Sequence, residues 1–330
     1  MTAKEENPMV SWITKYDASL ADKEKLASIY DETWRRNIRP KLLKTGSVCY
    51  LGNAFGYQAP IFEEEKGLIP KGWQYRLEEG AKILLPKMSN QEQGHLTKRM
   101  RDTESTSAEE EFLLARGFAK EFGQDAISLP QTSSDRTRPE FELLASGHQI
   151  MVEAKGRLVA KSVEQERELR RKAESDLGIK IPPSAPLDDH IEQWIKNTIY
   201  DTLQSKAMPD KGFILVLSIY TFPSDLCAII DMVREFVENP GNPVFFRNNS
   251  GDLNLPEEHW ALAIALVFHG RIQGVWFNPT VRERLSINTT MHERIRAAIK
   301  NSFYDREDRI FFREGMTDEE HKSVICNMSG

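Results

Sequence analysis

The stretch RPEFELLASGHQIMVEAKGRL, from Arg138 to Leu158, decides which fold we expect for this chain. Within it, residues 139–144 and 149–155 alternate between apolar and other side chains, which is the two-residue period of a β-strand. The four residues 145–148 between them, ASGH, are typical of a tight turn. We therefore predict a β-hairpin, with Pro139 at the first residue of its first strand, where a strand tolerates proline.

The second strand of this hairpin has one apolar face and one polar face. Its apolar residues, which alternate with the others along the strand, are Ile150, Val152 and Ala154. Glu153 and Lys155 lie on the opposite face, two residues apart, so we expect their side chains to be neighbours. The first strand alternates in the same way, and its two acids, Glu140 and Glu142, share one face.

The length of the turn sets the register of the two strands. If Ser146 and Gly147 are the loop residues of a tight hairpin, Glu140 lies directly opposite Glu153. Facing residues in such a pair have Cβ atoms roughly 4.5 to 5.5 Å apart. Two carboxylates that close raise each other's pKa unless a positive charge lies between them. Mg²⁺ suits this position because it prefers one or two carboxylates and leaves room for a phosphate oxygen.

Pro139-Glu140, followed after the turn by Glu153-Ala154-Lys155, resembles the PD-(D/E)xK signature of the restriction-endonuclease-like nuclease superfamily, with Glu140 in place of the usual Asp. The resemblance implies an α/β fold with a mixed sheet flanked by helices. It also implies Mg²⁺-dependent hydrolysis of DNA by an endonuclease of a restriction or other defence system. Glu140, Glu153 and Lys155 would be the catalytic residues. Glu140 and Glu153 would hold Mg²⁺, or Mn²⁺ as a substitute, and Lys155 would position or activate the attacking water.

The resemblance further implies a helix before the hairpin that carries another acid. Residues 107–122 match this expectation, because Ser107 followed by glutamates is a capping pattern and Gly123 is a plausible stop. The apolar stripe of this helix consists of Leu114, Ala115, Phe118 and Phe122. Glu110 and Glu111 both lie within one turn of the stripe, so either could reach the metal, and we prefer Glu111 as the third metal ligand. The same acids also fit a solvated first turn that compensates the helix dipole.

The net charge of −6 is unusual for a protein that binds nucleic acid, because phosphate contacts supply most of the affinity. Basic residues nevertheless cluster directly after the hairpin, where they could line a groove that leads to the metal site. The candidate DNA-binding residues are Arg157, Lys161, Arg167, Arg170 and Arg171. Their segment also fits a solvated charged helix, since glutamates alternate with arginines at i,i+4 spacing.

Composition narrows the class of protein. With 330 residues and 40% hydrophobic content, the chain can bury a large core. Its three cysteines are far apart and odd in number, which favours neither a disulfide framework nor a zinc site. No apolar run reaches the roughly 18 residues of a membrane span, and the first residues are polar, so we expect a cytoplasmic protein with no membrane partner.

The order of the predicted elements is helix, hairpin, helix, strand, helix, hairpin and helix, which fits a mixed sheet between helices. The later elements include a buried strand at 212–219, a second hairpin around 269–271 and a helix at 288–303. We divide the chain into three parts. Residues 1–103 form an N-terminal accessory region for target recognition or oligomerisation, residues 104–280 form the nuclease core, and residues 281–330 form a C-terminal helix and tail.

Three alternatives remain open at this point. Glu140 and Lys155 could form no more than a cross-strand ion pair on an exposed face, worth about 0 to 1 kcal/mol. The fold could be a catalytically inactive module that binds nucleic acid or a protein partner. It could also be an RNase, because the same metal site serves both sugars. A homodimer is expected by analogy with restriction nucleases, which often act as dimers.

Overall fold

A computed structural model of the chain describes residues 20–37, 73–101, 106–130, 140–157, 191–219, 226–239, 247–248, 251–252, 255–268 and 270–303. The strands are β1 (Ile127–Ser128), β2 (Phe141–Ala145), β3 (His148–Arg157), β4 (Gly212–Ile219), β5 (Arg247–Asn248), β6 (Gly251–Asp252), β7 (Ala263–Phe268) and β8 (Arg271–Phe277). The helices are α1 (Glu24–Ile29), α2 (Trp73–Leu84), α3 (Asn90–Arg101), α4 (Thr106–Phe122), α5 (Ile191–Lys206), α6 (Leu226–Glu238), α7 (Pro279–Arg284) and α8 (Thr289–Ser302).

The predicted hairpin is present as β2 and β3. Ser146 and Gly147 form its turn with φ angles of 52° and 80°, and positive φ at both positions is the mark of a type I′ turn. The ladder pairs Phe141 with Val152 and Glu142 with Met151. The register that the turn length predicted for the hairpin is therefore confirmed over β2.

Six strands form one mixed sheet in the order β1-β2-β3-β4-β7-β8, and β5 and β6 form a separate pair. β3, β4 and β7 run parallel to one another, whereas β1, β2 and β8 pair antiparallel with their neighbours. β4 lies between two parallel neighbours and all eight of its residues are buried, as expected for an uninterrupted apolar strand in the middle of a sheet. The predicted class, an α/β fold with a mixed sheet flanked by helices, is confirmed.

The two faces of the sheet carry different helices. Ile150, Val152 and Ala154 of β3 belong to the apolar core that includes side chains of α2, α4 and α8. Met151 belongs to a second core, formed with α5 and α6 on the opposite face. The alternation of β3 thus separates two hydrophobic layers, and Glu153 and Lys155 follow the face of Met151.

Two glycines allow close contact between helices on the α4 side. A Cβ atom at Gly80 of α2 would lie 1.9 Å from the carbonyl oxygen of Phe112, and one at Gly117 of α4 would lie 2.0 Å from Oγ of Ser302. Both distances are shorter than any real contact, so α2 and α8 approach α4 at positions where no side chain fits. This packing fixes the helix that carries Glu111.

The three predicted regions share one core. Leu77 and Met100 from residues 1–103, and Ile295 and Ile299 from residues 281–330, pack in the same cluster as Phe118 of α4. The proposed boundaries therefore do not separate independent cores, and the accessory role of residues 1–103 stays a prediction. None of the helices in the described ranges is long and apolar enough to cross a membrane.

Candidate active site

Three carboxylates from three different elements come together beside the hairpin. Glu111 lies on α4, Glu140 directly precedes β2, and Glu153 lies on β3. Their side chains are 3%, 12% and 0% exposed, respectively. The charges of Glu111 and Glu153 both act on the carboxyl group of Glu140, and the charge of Glu153 also acts on Glu111. Glu140 is therefore not on an exposed face of the sheet, as the alternative of a simple surface ion pair with Lys155 required.

The regular ladder between β2 and β3 ends beside these acids. β3 pairs with β4 from Ile150 to Arg157, whereas its ladder with β2 stops at Val152. The N–H of Glu140 donates to the carbonyl of Val152 at 3.1 Å, although the ladder already pairs Val152 with Phe141. The pairing is therefore irregular at Glu140. Our prediction that the regular ladder sets Glu140 directly opposite Glu153 is wrong. From Glu153 onwards, β3 has β4 as its sole strand neighbour within the described residues.

Glu111 reaches the acids because it belongs to the buried side of α4. It lies three and four residues before Leu114 and Ala115, which are both fully buried. Glu109 and Glu110 are buried as well. The alternative that these glutamates form a solvated first turn of the helix is therefore wrong. The charge of Glu111 acts on Glu140, and the choice of Glu111 over Glu110 as a metal ligand stays a prediction.

Two lysines hold one oxygen of Glu153. Nζ of Lys206, the last residue of α5, lies 2.5 Å from Oε1 of Glu153, and Nζ of Lys155 contacts the same oxygen. Oε2 of Glu153 is buried and has no hydrogen-bond partner in the part of the chain that the structure describes. This carboxylate therefore has one oxygen saturated by ammonium groups and one oxygen available to another ligand.

A third cation, Arg99 of α3, neutralises the other two acids. Its Nη2 lies 2.5 Å from Oε1 of Glu111, and its Nη1 lies 4.0 Å from Oε2 of Glu140. The Arg99 side chain is 43% exposed, so it approaches the acids from the solvent side. The cluster thus contains three carboxylates and three cations, which we call the acid cluster.

Burial and mutual repulsion shift the ionisation of this cluster. Burial raises the pKa of Glu140 well above its ordinary value of 4.5, and the carboxylates of Glu111 and Glu153 raise it further. Burial also raises the pKa of Glu111, although Arg99 acts against that rise. Burial lowers the pKa of Lys155, but the attraction and hydrogen bond of Glu153 outweigh this effect, so the pKa of Lys155 is raised.

A divalent cation fits the chemistry of these donors but not their present pairing. Within the described ranges, no group of three or more His, Cys, Asp or Glu side chains is arranged to hold a metal ion. The oxygens of Glu111 and Glu140 that face Arg99 are held by the guanidinium instead. A metal would use the open Oε2 of Glu153 and would have to replace Arg99 as the counter-ion of the other two acids.

The structure brings together Glu111, Glu140, Glu153 and Lys155. It does not describe the side chains of the predicted DNA-binding residues. Lys161, Arg167, Arg170 and Arg171 lie outside the described residues, and only the backbone of Arg157 is described, at the end of β3. The basic groove beside the acid cluster therefore stays a prediction.

Two residues of the acid cluster were not predicted from the sequence as part of it, although a signal for each exists. Lys206 continues the buried stripe of α5, which passes through Ile195, Ile199 and Leu203 at helical spacing. Arg99 lies three residues after Leu96 and one before Met100, the buried residues of α3. Extending each apolar stripe by one turn would have placed these cations at the margin of the core.

Glu142 is a buried acid of the same hairpin that lies outside the acid cluster. Its carboxylate accepts a hydrogen bond of 2.7 Å from Nε2 of Gln149 and lies 3.3 Å from Nζ of Lys211. Burial of a glutamate in this hairpin is therefore not by itself a sign of the site.

A comparison with known proteins found no matching family model, no similar curated protein and no similar solved structure.

Proposed function

We propose that this chain is a metal-dependent phosphodiesterase of the PD-(D/E)xK type that cleaves DNA as an endonuclease. The observation that carries the proposal is the convergence of Glu111, Glu140, Glu153 and Lys155 beside β3. The surrounding architecture supports it, because a mixed sheet with helices on both faces and the acids on its first hairpin is what the resemblance implies. A role in restriction or another defence system belongs to the same proposal.

Glu140 and Glu153 would hold Mg²⁺, with Glu111 assisting. The raised pKa of Glu140 supports this assignment, since a buried carboxylate between two others is stabilised by a cation. The open Oε2 of Glu153 supplies a further ligand atom. A bound Mg²⁺ ion supplies Lewis-acid polarisation of a phosphodiester and lowers the pKa of water.

Lys155 acts in this proposal as an ammonium group. Its pKa is raised, so the side chain is protonated at neutral pH and donates hydrogen bonds rather than accepting a proton. It would orient the attacking water and stabilise the negative charge that develops on the phosphate. Because the Lys155 side chain is 35% exposed while Glu153 is fully buried, the ammonium can face a substrate on the solvent side.

Arg99 would have two roles. Without metal it is the counter-ion of Glu111 and Glu140, which would otherwise repel each other. With metal and substrate present, the partly exposed guanidinium would contact a phosphate, for which its planar fork is suited. The exchange would replace the single positive charge of Arg99 at the two acids by the double charge of the metal ion.

The experiment that tests the proposal is cleavage of supercoiled plasmid in Mg²⁺ by the wild type, Lys155→Ala and Glu142→Gln. Glu142 is the matched control, because it is a buried carboxylate of the same hairpin with partners outside the acid cluster. We expect cleavage by the wild type and by Glu142→Gln and a large loss for Lys155→Ala. Equal activity of all three proteins would remove Lys155 from the site.

The runner-up is a catalytically inactive module that binds nucleic acid or a protein partner. It is favoured by one observation, namely that three cations already balance the three carboxylates, as in a structural ion network. Absence of cleavage by the wild type in Mg²⁺ and in Mn²⁺ would favour this reading. Cleavage of single-stranded RNA but not of DNA would instead identify an RNase, and light scattering would test the proposed homodimer.

A further inference from the structure

A second concave surface lies at the far edge of the sheet, along β8. It is a groove of about 680 Å³ between α6 on one side of the strand and α7 and α8 on the other. Among the described strands, β8 is hydrogen-bonded to β7 alone, so its outer edge faces the groove. We call this surface the β8 groove.

The β8 groove is basic although the chain as a whole is acidic. Arg282, Arg296 and Lys300 line the wall formed by α7 and α8. The opposite wall is mixed, since it carries Arg234 and Glu238. Neither Arg282 nor Lys300 forms an ion pair with a carboxylate of the described residues, so their charges are available to a ligand. Basic residues concentrated on one surface are the electrostatic feature of a site for phosphates.

Two aromatic rings of β8 line the groove from opposite faces of the strand, with Trp276 on the face of α6 and Phe277 on the face of α7 and α8. The indole of Trp276 lies across Gly274, where a Cβ atom would be only 2.2 Å from the ring. Glycine at 274 is therefore what allows the indole to lie flat along the strand. Both Trp276 and Phe277 are partly exposed and line the groove.

Arg296 is held against the second ring. Its guanidinium lies 5.5 Å from the centre of the Phe277 ring, and its Nη2 lies 3.3 Å from Nε2 of His292. The imidazole of His292 packs edge-on against the same ring at 4.0 Å. Nε of Arg296 is buried and has no hydrogen-bond partner within the described part of the chain. The guanidinium as a whole is partly exposed, and its planar fork is suited to an anionic ligand.

We propose that the β8 groove binds single-stranded nucleic acid across the edge of the sheet, with phosphates on Arg282, Arg296 and Lys300 on the side of α7 and α8 and an unpaired base on Trp276 on the side of α6. Proteins usually bind single-stranded nucleic acid with cationic side chains along its phosphate backbone and with aromatic rings on which its bases stack. The volume of the groove also falls in the range of small-ligand sites and accommodates a few nucleotides. An acidic peptide could satisfy the charges, but it has no base to stack on the indole.

The β8 groove is separate from the acid cluster. Trp276 and Glu153 lie in one row across the sheet. The row is formed by the strand pairs Trp276–Ile264, Ile264–Leu215 and Leu215–Glu153. Three strand spacings separate the two residues, which is about 14 Å. Binding in the groove therefore does not depend on whether the acid cluster hydrolyses anything.

The test is fluorescence anisotropy of a labelled oligothymidylate with the full chain in EDTA, which prevents metal-dependent cleavage. We expect the double variant Arg282→Gln/Lys300→Gln to bind at least 10-fold more weakly and to lower the salt slope by about 1.4, from two lost phosphate contacts. Trp276→Ala should weaken binding about 5-fold or more without changing the slope. Arg36→Gln, at an exposed arginine outside the groove, is the control and should bind normally.

Two results would overturn the assignment. One is unchanged affinity of the Arg282→Gln/Lys300→Gln protein, or an equal loss in the Arg36→Gln control. The other is equal competition by an oligoglutamate peptide of the same length, which would show that charge alone selects the ligand. Glu153→Gln separates this proposal from the nuclease proposal, since it should abolish cleavage while leaving oligothymidylate affinity intact.

Discussion

Nζ of Lys206 lies 2.5 Å from Oε1 of Glu153, and the two residues are 53 positions apart in the chain. The contact joins the last residue of α5 to the middle of β3, inside a region where Lys206 is only 9% exposed. Because Lys155 contacts the same oxygen, Glu153 is held from both sides. This leaves Oε2 as the atom that can serve another ligand.

Replacing Lys206 by Met should destabilise the protein. The change leaves a buried carboxylate with one cation fewer, and breaking a buried pair costs about 3 to 5 kcal/mol, which is an upper limit here because Lys155 remains. Denaturant unfolding should show a smaller loss for Lys211→Met, whose partner Glu142 lies outside the acid cluster. The double variant Lys206→Met/Glu153→Gln should be less destabilised than the sum of the single changes. Additive losses would mean that the two side chains are not coupled.

Glu140→Gln should stabilise the metal-free protein above pH 4.5. A carboxyl whose pKa is raised on folding binds its proton more tightly in the folded state, so the free energy of unfolding falls as the pH rises from 4.5 through the folded pKa. Glutamine removes that cost, and the thermal midpoint in EDTA should rise by about 2 to 4 °C per kcal/mol relieved. Below pH 4.5 the two proteins should converge.

Mn²⁺ should reverse this order, because the ion stabilises the wild type through Glu140 and has lost that ligand in Glu140→Gln. If Glu140→Gln were less stable than the wild type in EDTA at neutral pH, repulsion among the three carboxylates would not be the dominant effect at this position.

Arg99→Gln should bind Mn²⁺ more tightly and cleave DNA more slowly. The guanidinium competes with a metal for Glu111 and Glu140, so its removal should increase the Mn²⁺ affinity in titration calorimetry about 10-fold, the equivalent of 1.4 kcal/mol. The loss of a phosphate contact should lower the cleavage rate. Lys98→Gln, at an exposed neighbour on the same helix, should alter neither quantity. Weaker Mn²⁺ binding by Arg99→Gln would contradict the exchange of Arg99 for metal.

Gly80→Ala should destabilise the fold by about 1 to 3 kcal/mol, because the new methyl group would overlap the carbonyl of Phe112 and push α2 away from α4. Gly94 is the matched control, since it lies in α3 and a Cβ atom there meets nothing within 4 Å. Gly94→Ala should stabilise the protein by about 0.5 to 1 kcal/mol through helix propensity. Denaturant unfolding of the two variants should therefore shift in opposite directions.

The local part of the fold could be predicted from the sequence. The turn at Ser146-Gly147, the two faces of β3 and the bounds of α4 depend on neighbouring residues, and each was recovered. Alternation and helical spacing report which side of an element is buried, but they did not separate Glu110 from Glu111, which are both buried. The choice of Glu111 as a metal ligand stays a prediction.

The remaining part of the site depends on tertiary contacts that no local pattern contains. Lys206 enters the acid cluster because the end of α5 contacts Glu153 of β3, and Arg99 enters it because α3 contacts Glu111 of α4. The pairing of β2 with β3 becomes irregular at Glu140, where β2 ends. The register predicted from the turn assumes a regular ladder, so it does not predict where that ladder ends. The β8 groove likewise requires three elements, namely α6, β8 and α8, to meet at one edge.

The most direct test of the acid cluster as a metal centre is the anomalous signal of Mn²⁺ in crystals of the wild type soaked in that ion. We predict a peak between Glu140 and Glu153, at metal–oxygen distances of roughly 2.0 to 2.2 Å, with Arg99 displaced from Glu111. A crystal of Glu153→Gln soaked in the same way should show no such peak. A wild-type map without a peak, with Arg99 still bound to Glu111, would contradict the account.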